Sequence, residues 1–428
     1  MGELAKESIS FLTKPSLDTN GAKLGSLGAV FIMLKSALGA GLLIFPWAFE
    51  KAGGIHLAVT VEMISLVFLI SGLVILGYSS SISGQNTYQA VVRDVCGPAI
   101  GNLCEICYVF NLFFISVAFL VIVADQLQKC KQQMLYYWYT DHRFALFLLC
   151  LFFIFPLSLP KEISIQKYTR NGLVQKVSYY RKSFFRCRQS VLEIRCLNTA
   201  VLVLLILCLF QFHEACIAVY SSMENRKLSH WVFISVISMF ICLIIYSLTG
   251  VSGYLTFGKN VAPDILMSYS GSDVTMIVAR LLFGISIITI YPIIILLGRS
   301  VIQDPLLRRR HKHTAVTESY ESRTRVALTT VWVTITLLIA VVVPDISKVI
   351  SVVGGVGAFF IFIFPGNCFL MFNKIHTYSF TFTITFCFYA LFCPRYLLIT
   401  WGMITLFCGT YIFGQSTSIA IMQLLSDT

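Results

Sequence analysis

Eleven apolar runs of 17 to 29 residues limit what this chain can fold into. They cover residues 24–49, 57–82, 103–128, 144–160, 197–221, 230–257, 274–301, 326–343, 349–372, 377–393 and 396–424. A helix of roughly twenty apolar residues crosses the hydrocarbon of a bilayer. Inside lipid every backbone N–H and C=O must bond within the protein, so only helices and closed barrels can span. A barrel would show segments of about ten residues with alternating polarity, and this sequence has none. The reading is an all-α polytopic membrane protein. The composition agrees, since 57% of residues are hydrophobic and 12% charged, about half the charged share of a soluble domain.

The net charge of +12 gathers in two stretches, Lys161–Arg195 and Arg308–Arg325. Cytoplasmic loops of membrane proteins collect Lys and Arg, so the excess reads as orientation and not as a nucleic-acid surface. Residues 1–23 are polar and read as a disordered cytoplasmic N-terminus without a cleaved signal. Residues 24–424 read as a single transmembrane domain, with 302–325 a basic cytoplasmic loop and 161–196 an aberrant one. The fourteen cysteines fall mostly within apolar runs, where they act as small hydrophobes. No Ser-His-Asp set, phosphate-binding loop or paired-carboxylate motif is present, which argues against an enzyme.

The basic loops also test the span count. The stretch 161–196 holds nine Lys or Arg and two acids, Glu162 and Glu193, and cannot span. The short loop around Arg226 and Lys227 also asks to be cytoplasmic. Only one run, 197–221, separates the two, and one span puts them on opposite sides. An odd number of spans is therefore missing between Pro160 and Glu224.

One run carries a defect that invites function. Lys35-Ser36-Ala37-Leu38-Gly39-Ala40-Gly41 sets a lysine and two glycines in the middle of 24–49. Glycine weakens a helix, and backbone freed in lipid must face protein or a water-filled cavity. A broken helix offers N–H groups to a carboxylate and carbonyls to a cation. The alternative is a glycine pair used for helix packing. Gly354, Gly355 and Gly357 read as a close-packing surface or hinge.

The motifs together resemble a known family. They are GAVFIMLKSALGAGLLIFPWAFEKAGG (28–54), LISGLVILGYSSSISGQNTYQAVVRDVCGPAIG (69–101), FHEACIAVYSSM (212–223), IIYSLTGVSGYLTFGKNVAPDILMSY (244–269), YPIIILLGRSVIQD (291–304), SVVGGVGAFFIFIFPG (351–366) and GTYIFGQST (409–417). They are similar to the sodium-coupled neutral amino acid transporters, solute carrier family 38, of the amino acid/auxin permease clan. The likeness covers roughly 24–168, 211–373 and 405–420. It implies eleven helices, ten of them in a five-plus-five inverted repeat, with helices 1 and 6 broken. It implies substrate at the breaks and a cation between helices 1 and 8. After QKYT (166–169) relatives continue as a hydrophobic helix 5, whereas this chain turns basic, so the fifth helix reads as missing or replaced. Residues 374–404 depart as well, and the run 377–393 has no obvious family counterpart.

The resemblance assigns roles residue by residue. Ser36, Ala37, Gly39, Ala40 and Gly41 would bind the substrate's carboxylate and amino groups. Phe212, His213 and Glu214 would line the break of helix 6, with Phe212 either walling the pocket or packing. Ser286 and Thr289, ahead of Pro292, are sodium-ligand candidates. In-span hydroxyls also commonly bond their own helix. Lys35 stands where relatives often carry an amide. It supplies only donors, so it replaces the cation, carries a coupled proton, or turns toward an acid such as Glu62, Asp125 or Glu214. The expected function is secondary active transport of small neutral amino acids such as glutamine and alanine. Sodium or a proton would be the coupling ion, with no other cofactor. The alternative is an amino acid sensor or scaffold that does not transport, or an inactive variant lacking helix 5. The expected partners are the amino acid and the lipid bilayer, with no nucleic acid, and a monomer. The expected location is the plasma membrane, with the lysosomal membrane as the alternative.

Overall fold

A computed structural model describes residues 25–37, 40–131, 142–160, 213–270, 273–311, 318–343, 346–375 and 394–425. The described residues are helical, joined by short turns. In chain order the helices are α1 (Ser26–Ala37), α2 (Phe45–Lys51), α3 (Ile55–Ser83), α4 (Tyr88–Cys96), α5 (Pro98–Lys131), α6 (His142–Leu149), α7 (Phe155–Ser158) and α8 (His213–Ser222). They continue as α9 (Leu228–Phe257), α10 (Ile265–Ser268), α11 (Val274–His311), α12 (Glu318–Val342), α13 (Ile346–Ala358), α14 (Phe364–Ile375) and α15 (Pro394–Leu425).

Seven helical segments are long and apolar enough to cross a membrane among the described residues. They match the sequence runs that begin at 57, 103, 230, 274, 326, 349 and 396. A shorter apolar segment, Arg143–Ser158, matches the run 144–160. The molecule is a multi-pass helical membrane protein. Its outward faces are apolar where a soluble protein would be polar: Phe152, Phe153, Leu248, Leu338 and Phe407 are all exposed. Lipid is the medium that such a surface requires. The runs 377–393 and the first part of 197–221, together with the basic stretch 161–196, lie outside the described residues.

The segment Lys348–Met371 is the most enclosed, with 89% of its apolar window buried against 28% for Ser319–Val342. Its glycines serve close approach, since a Cβ at Gly355 would lie 2.7 Å from Ser416 Oγ on α15. The Ser416 hydroxyl in turn donates to the Ser351 carbonyl. The helix is not regular. It widens into a π-turn over Phe359–Ile363, and a second π-turn occupies Cys150–Ile154 between α6 and α7. Each is followed by Phe-Pro, at Pro365 and Pro156. A proline offers no N–H and its ring crowds the carbonyl four residues back. A wide turn just before it relieves that clash. The Tyr88 hydroxyl on α4 donates to the Phe360 carbonyl at 3.0 Å, supplying a donor inside the widened turn.

The basic segment 302–325 is mostly helix and not loop. α11 runs on to His311 and α12 starts at Glu318. Arg and Glu are good helix formers, so the helices continue past their apolar windows.

Buried polar residues tie the helix ends. Arg299 donates to the carbonyls of Ser158 (3.3 Å) and Pro160 (3.1 Å) and to the Thr329 hydroxyl (3.1 Å). This serves the open carbonyl end of α7. Around α10, Asp264 caps the Leu266 N–H at 2.9 Å and accepts from Gln126 of α5. Arg280 of α11, fully buried, donates to the carbonyls of Leu266, Tyr269 and Ser270 at 2.9, 3.1 and 3.2 Å. Burial pushes the Asp264 carboxyl up to about 6. The Leu266 N–H, Arg280 and Gln126 pull the other way and lose.

Candidate functional site

The first candidate helix is interrupted. α1 ends at Ala37, a 3-10 turn occupies Ala40–Leu43, and α2 starts at Phe45. Helix ends leave carbonyls without intrahelical partners, and inside a bundle they need another donor. The Ala37 carbonyl accepts from the Tyr246 hydroxyl of α9, and both residues are buried. The Ile44 N–H closes the turn onto the Gly41 carbonyl at 3.1 Å. The Tyr246 ring stacks on Phe45 with centroids 4.4 Å apart and planes 16° apart. One side chain therefore holds the end of α1 and the start of α2. The sequence reading missed Tyr246. Its signal was a tyrosine in mid-run, whose hydroxyl needs a partner when buried.

α9 also receives α2 closely. A Cβ at Gly250 would lie 2.6 Å from Phe49 Cε2, and one at Gly253 would lie 2.6 Å from Pro46 Cβ and from Ile265 Cδ1. Small residues let helices approach where lipid gives no hydrophobic drive to associate. Next to Tyr246, the Ser247 hydroxyl donates to Glu62 of α3 at 2.5 Å.

His213 and Glu214 open the described part of α8, which packs against α1, α3 and α4. His213 is fully buried, with Nε2 3.0 Å from the Leu69 carbonyl. Glu214 accepts from Asn111 Nδ2 of α5, and Asn111 is itself fully buried. Asn111 is a second residue that the sequence reading did not single out. Phe212 and Gly39 lie outside the described residues, as does the side chain of Lys35. Any break in helix 6 ahead of His213 lies outside them too.

Thr289 donates to the Ser286 carbonyl at 2.7 Å, a bond within its own helix. The main packing partners of α11 are α5, α12 and α7. The fold thus brings the helix bearing Ser36 and Ala37 against the one bearing His213 and Glu214. Ser286 and Thr289 sit on a helix whose main neighbours are others.

Among the described residues no group of three or more His, Cys, Asp or Glu side chains is placed to hold a metal ion.

Comparison with known proteins gives a consistent answer. A model of the family described as "Transmembrane amino acid transporter protein" matches residues 22–180 and 190–410. The gap falls inside the basic stretch 161–196. A Xenopus tropicalis protein is 52% identical over 451 aligned positions, covering 100% of both chains. This chain has 428 residues, so the relative carries residues without counterpart here. "Solute carrier family 38 member 8" of Homo sapiens is 47% identical over 96% of this chain and 97% of its own. "Sodium-coupled neutral amino acid transporter 7" of Danio rerio is 37% identical over 98% of this chain and 92% of its own. On these matches and its membrane-length helices, the chain belongs to the transmembrane amino acid transporter family.

Proposed function

We propose that this chain carries small neutral amino acids, glutamine and alanine among them, by sodium-driven symport with alternating access. The observation that carries the reading is the interruption of the first helix inside the bundle, where the Ala37 carbonyl meets Tyr246 and a 3-10 turn replaces the next helical turn. N–H groups at such a break suit a carboxylate, and carbonyls suit an ammonium or a cation. Ser36, Ala37, Gly39, Ala40 and Gly41 then hold the amino acid's backbone. Phe212, His213 and Glu214 face it from helix 6. Ser286 and Thr289 ligate sodium, and Lys35 tunes that cation site. The names of the relatives, which mention sodium coupling and neutral amino acids, support the choice of ion and cargo. The five-plus-five inverted repeat is the architecture that would rock around this site. The membrane is the plasma membrane, and the working unit is the monomer.

A second reading, binding without transport, draws on the basic stretch 161–196 where a hydrophobic helix 5 is expected. Flux separates the two. The full chain in proteoliposomes should take up radiolabelled glutamine and alanine under an inward sodium gradient and lose that uptake when choline replaces sodium. Gly41→Leu, which fills the break and favours helix, should insert normally and carry nothing. Wild-type uptake by that variant would remove the break from the site. Absence of flux in the unmodified chain, with bound amino acid detected, would establish the second reading.

A further inference from the structure

Glu62 stands two helical turns into α3, a membrane-length helix, and is 1% exposed. Its Oε2 accepts from Ser247 at 2.5 Å, and its Oε1 is buried without a hydrogen-bond partner. An ionised carboxylate has room for about four donors, and here it has one. An uncompensated charge in such a place is costly.

Among the described residues, several charged and titratable groups on the helices packed around α3 are engaged elsewhere, Cys96 of α4 with Cys368 of α14 among them. Glu50 and Lys51 of α2 pair with each other at 3.2 Å. His213 and Glu214 of α8 meet Leu69 and Asn111. Arg93 of α4 holds Glu105 at 2.7 Å. On α9, His230 meets Ser26 at 2.9 Å, and Tyr246 serves Ala37. Ser247 alone among the described side chains reaches Glu62. A sodium ion would need a shell of several oxygens, and among the described side chains Ser247 is the one hydrogen-bonded to this carboxylate. A proton needs no shell.

We propose that Glu62 is a proton-binding site of the transport cycle. Oε1 takes a proton from water on one side of the membrane, forming an O–H bond. That bond breaks on the other side and returns the proton to water, so one proton travels with each amino acid beside sodium. The link to the substrate break is short: Ser247, which holds Glu62, follows Tyr246, which holds the end of α1. This inference rests on the transport reading.

The test uses the full chain in proteoliposomes containing a trapped pH dye, with radiolabelled alanine and glutamine as cargo. Wild-type uptake should acidify the lumen. In Glu62→Gln, acidification per amino acid should fall to that of protein-free vesicles, and Glu62→Asp should restore it. Infrared spectra of the purified protein give a second readout. A protonated-carboxyl band at neutral pH should appear in the wild-type minus Glu62→Gln difference spectrum. Wild type moving amino acid without protons would overturn the proposal. So would undiminished acidification in Glu62→Gln, or the lack of that band. If wild type moves no amino acid, the transport reading fails and the infrared band alone decides on the proton site. Should Glu62→Gln fail to insert, Ser247→Ala keeps the carboxyl and removes its donor. The pH at which the band disappears must then shift, and an unchanged pH sinks the idea.

Discussion

Replacing Tyr246 by Phe removes one oxygen and keeps the ring. The stack on Phe45 at 4.4 Å survives, and the Ala37 carbonyl loses its donor. Ala37 is 4% exposed and Tyr246 fully buried, so water has no easy route to replace the hydroxyl. Leaving a buried acceptor unsatisfied costs about 1–3 kcal/mol. At 1.4 kcal/mol per factor of ten, that is roughly 5- to 150-fold in the equilibrium that the bond supports. The bond supports this arrangement of the break, so the equilibrium constant that favours it falls by that factor, and its population falls with it. Initial uptake of labelled alanine in proteoliposomes, normalised to folded protein by size-exclusion chromatography, should drop accordingly. Tyr246→Leu also removes the ring pair, worth about 0.5–1.5 kcal/mol more, and leaves a cavity, so it should lose uptake and thermal stability together. If Tyr246→Phe transports within about twofold of wild type, the hydroxyl does not hold the break and the reasoning fails.

Gly253→Ala should lower thermal stability in detergent by about 1–3 kcal/mol through overpacking against Pro46; an unchanged melting curve would mean that the α2–α9 contact is looser than described. The Asp264 carboxyl sits at about 6 folded against 3.8 as its ordinary value. Its raised value makes the α10 latch firmest below about pH 4 and weaker as pH climbs through 6, by at most about 3 kcal/mol. Hydrogen-exchange protection of residues 261–270, corrected for intrinsic rate, should follow that course in wild type and be flat across it in Asp264→Asn. Lys35→Asn, which trades a pure donor for an amide oxygen, should steepen the sodium dependence of uptake, and identical dependence in both proteins would remove Lys35 from the cation site.

The spans were legible because lipid allows few solutions: an uncharged run of twenty residues must be helix, whatever packs on it. The break near Gly41 was legible as one of two readings, since a glycine pair within an apolar run either breaks the helix or packs it closely against a neighbour. What the pattern could not supply was the identity of partners far along the chain. Glu62 announced itself as a costly acid, and Lys35 was one partner for it on sequence grounds. The described partner is Ser247, 185 positions away. Asn111 and Tyr246 carry no periodicity that marks them, because a single polar residue in an apolar run is neutral until its neighbour is known. The π-turns escaped too, though a Phe-Pro pair inside each apolar run was the trace they left.

The division of work along α9 bears on how the molecule could move. Tyr246, Gly250 and Gly253 recur at helical spacing and face the two halves of the first helix. The glycines present backbone, so beyond the Tyr246–Phe45 stack the side chains of Pro46 and Phe49 rest directly on the α9 main chain. Sliding along that main chain loses dispersion contacts gradually and breaks no directional bond. The Tyr246 bond at the end of α1 is different, because a hydrogen bond fails steeply with angle and distance. Motion of the first helix against α9 should therefore concentrate between residues 37 and 44. There the chain already departs from regular helix, and Ser247, one residue along from the fixed point, holds Glu62. A shift of α2 relative to α1 would act on the proposed amino acid site directly and on Glu62 through a single turn of α9. Such a link is what the proposed coupling of two solutes in one cycle would use.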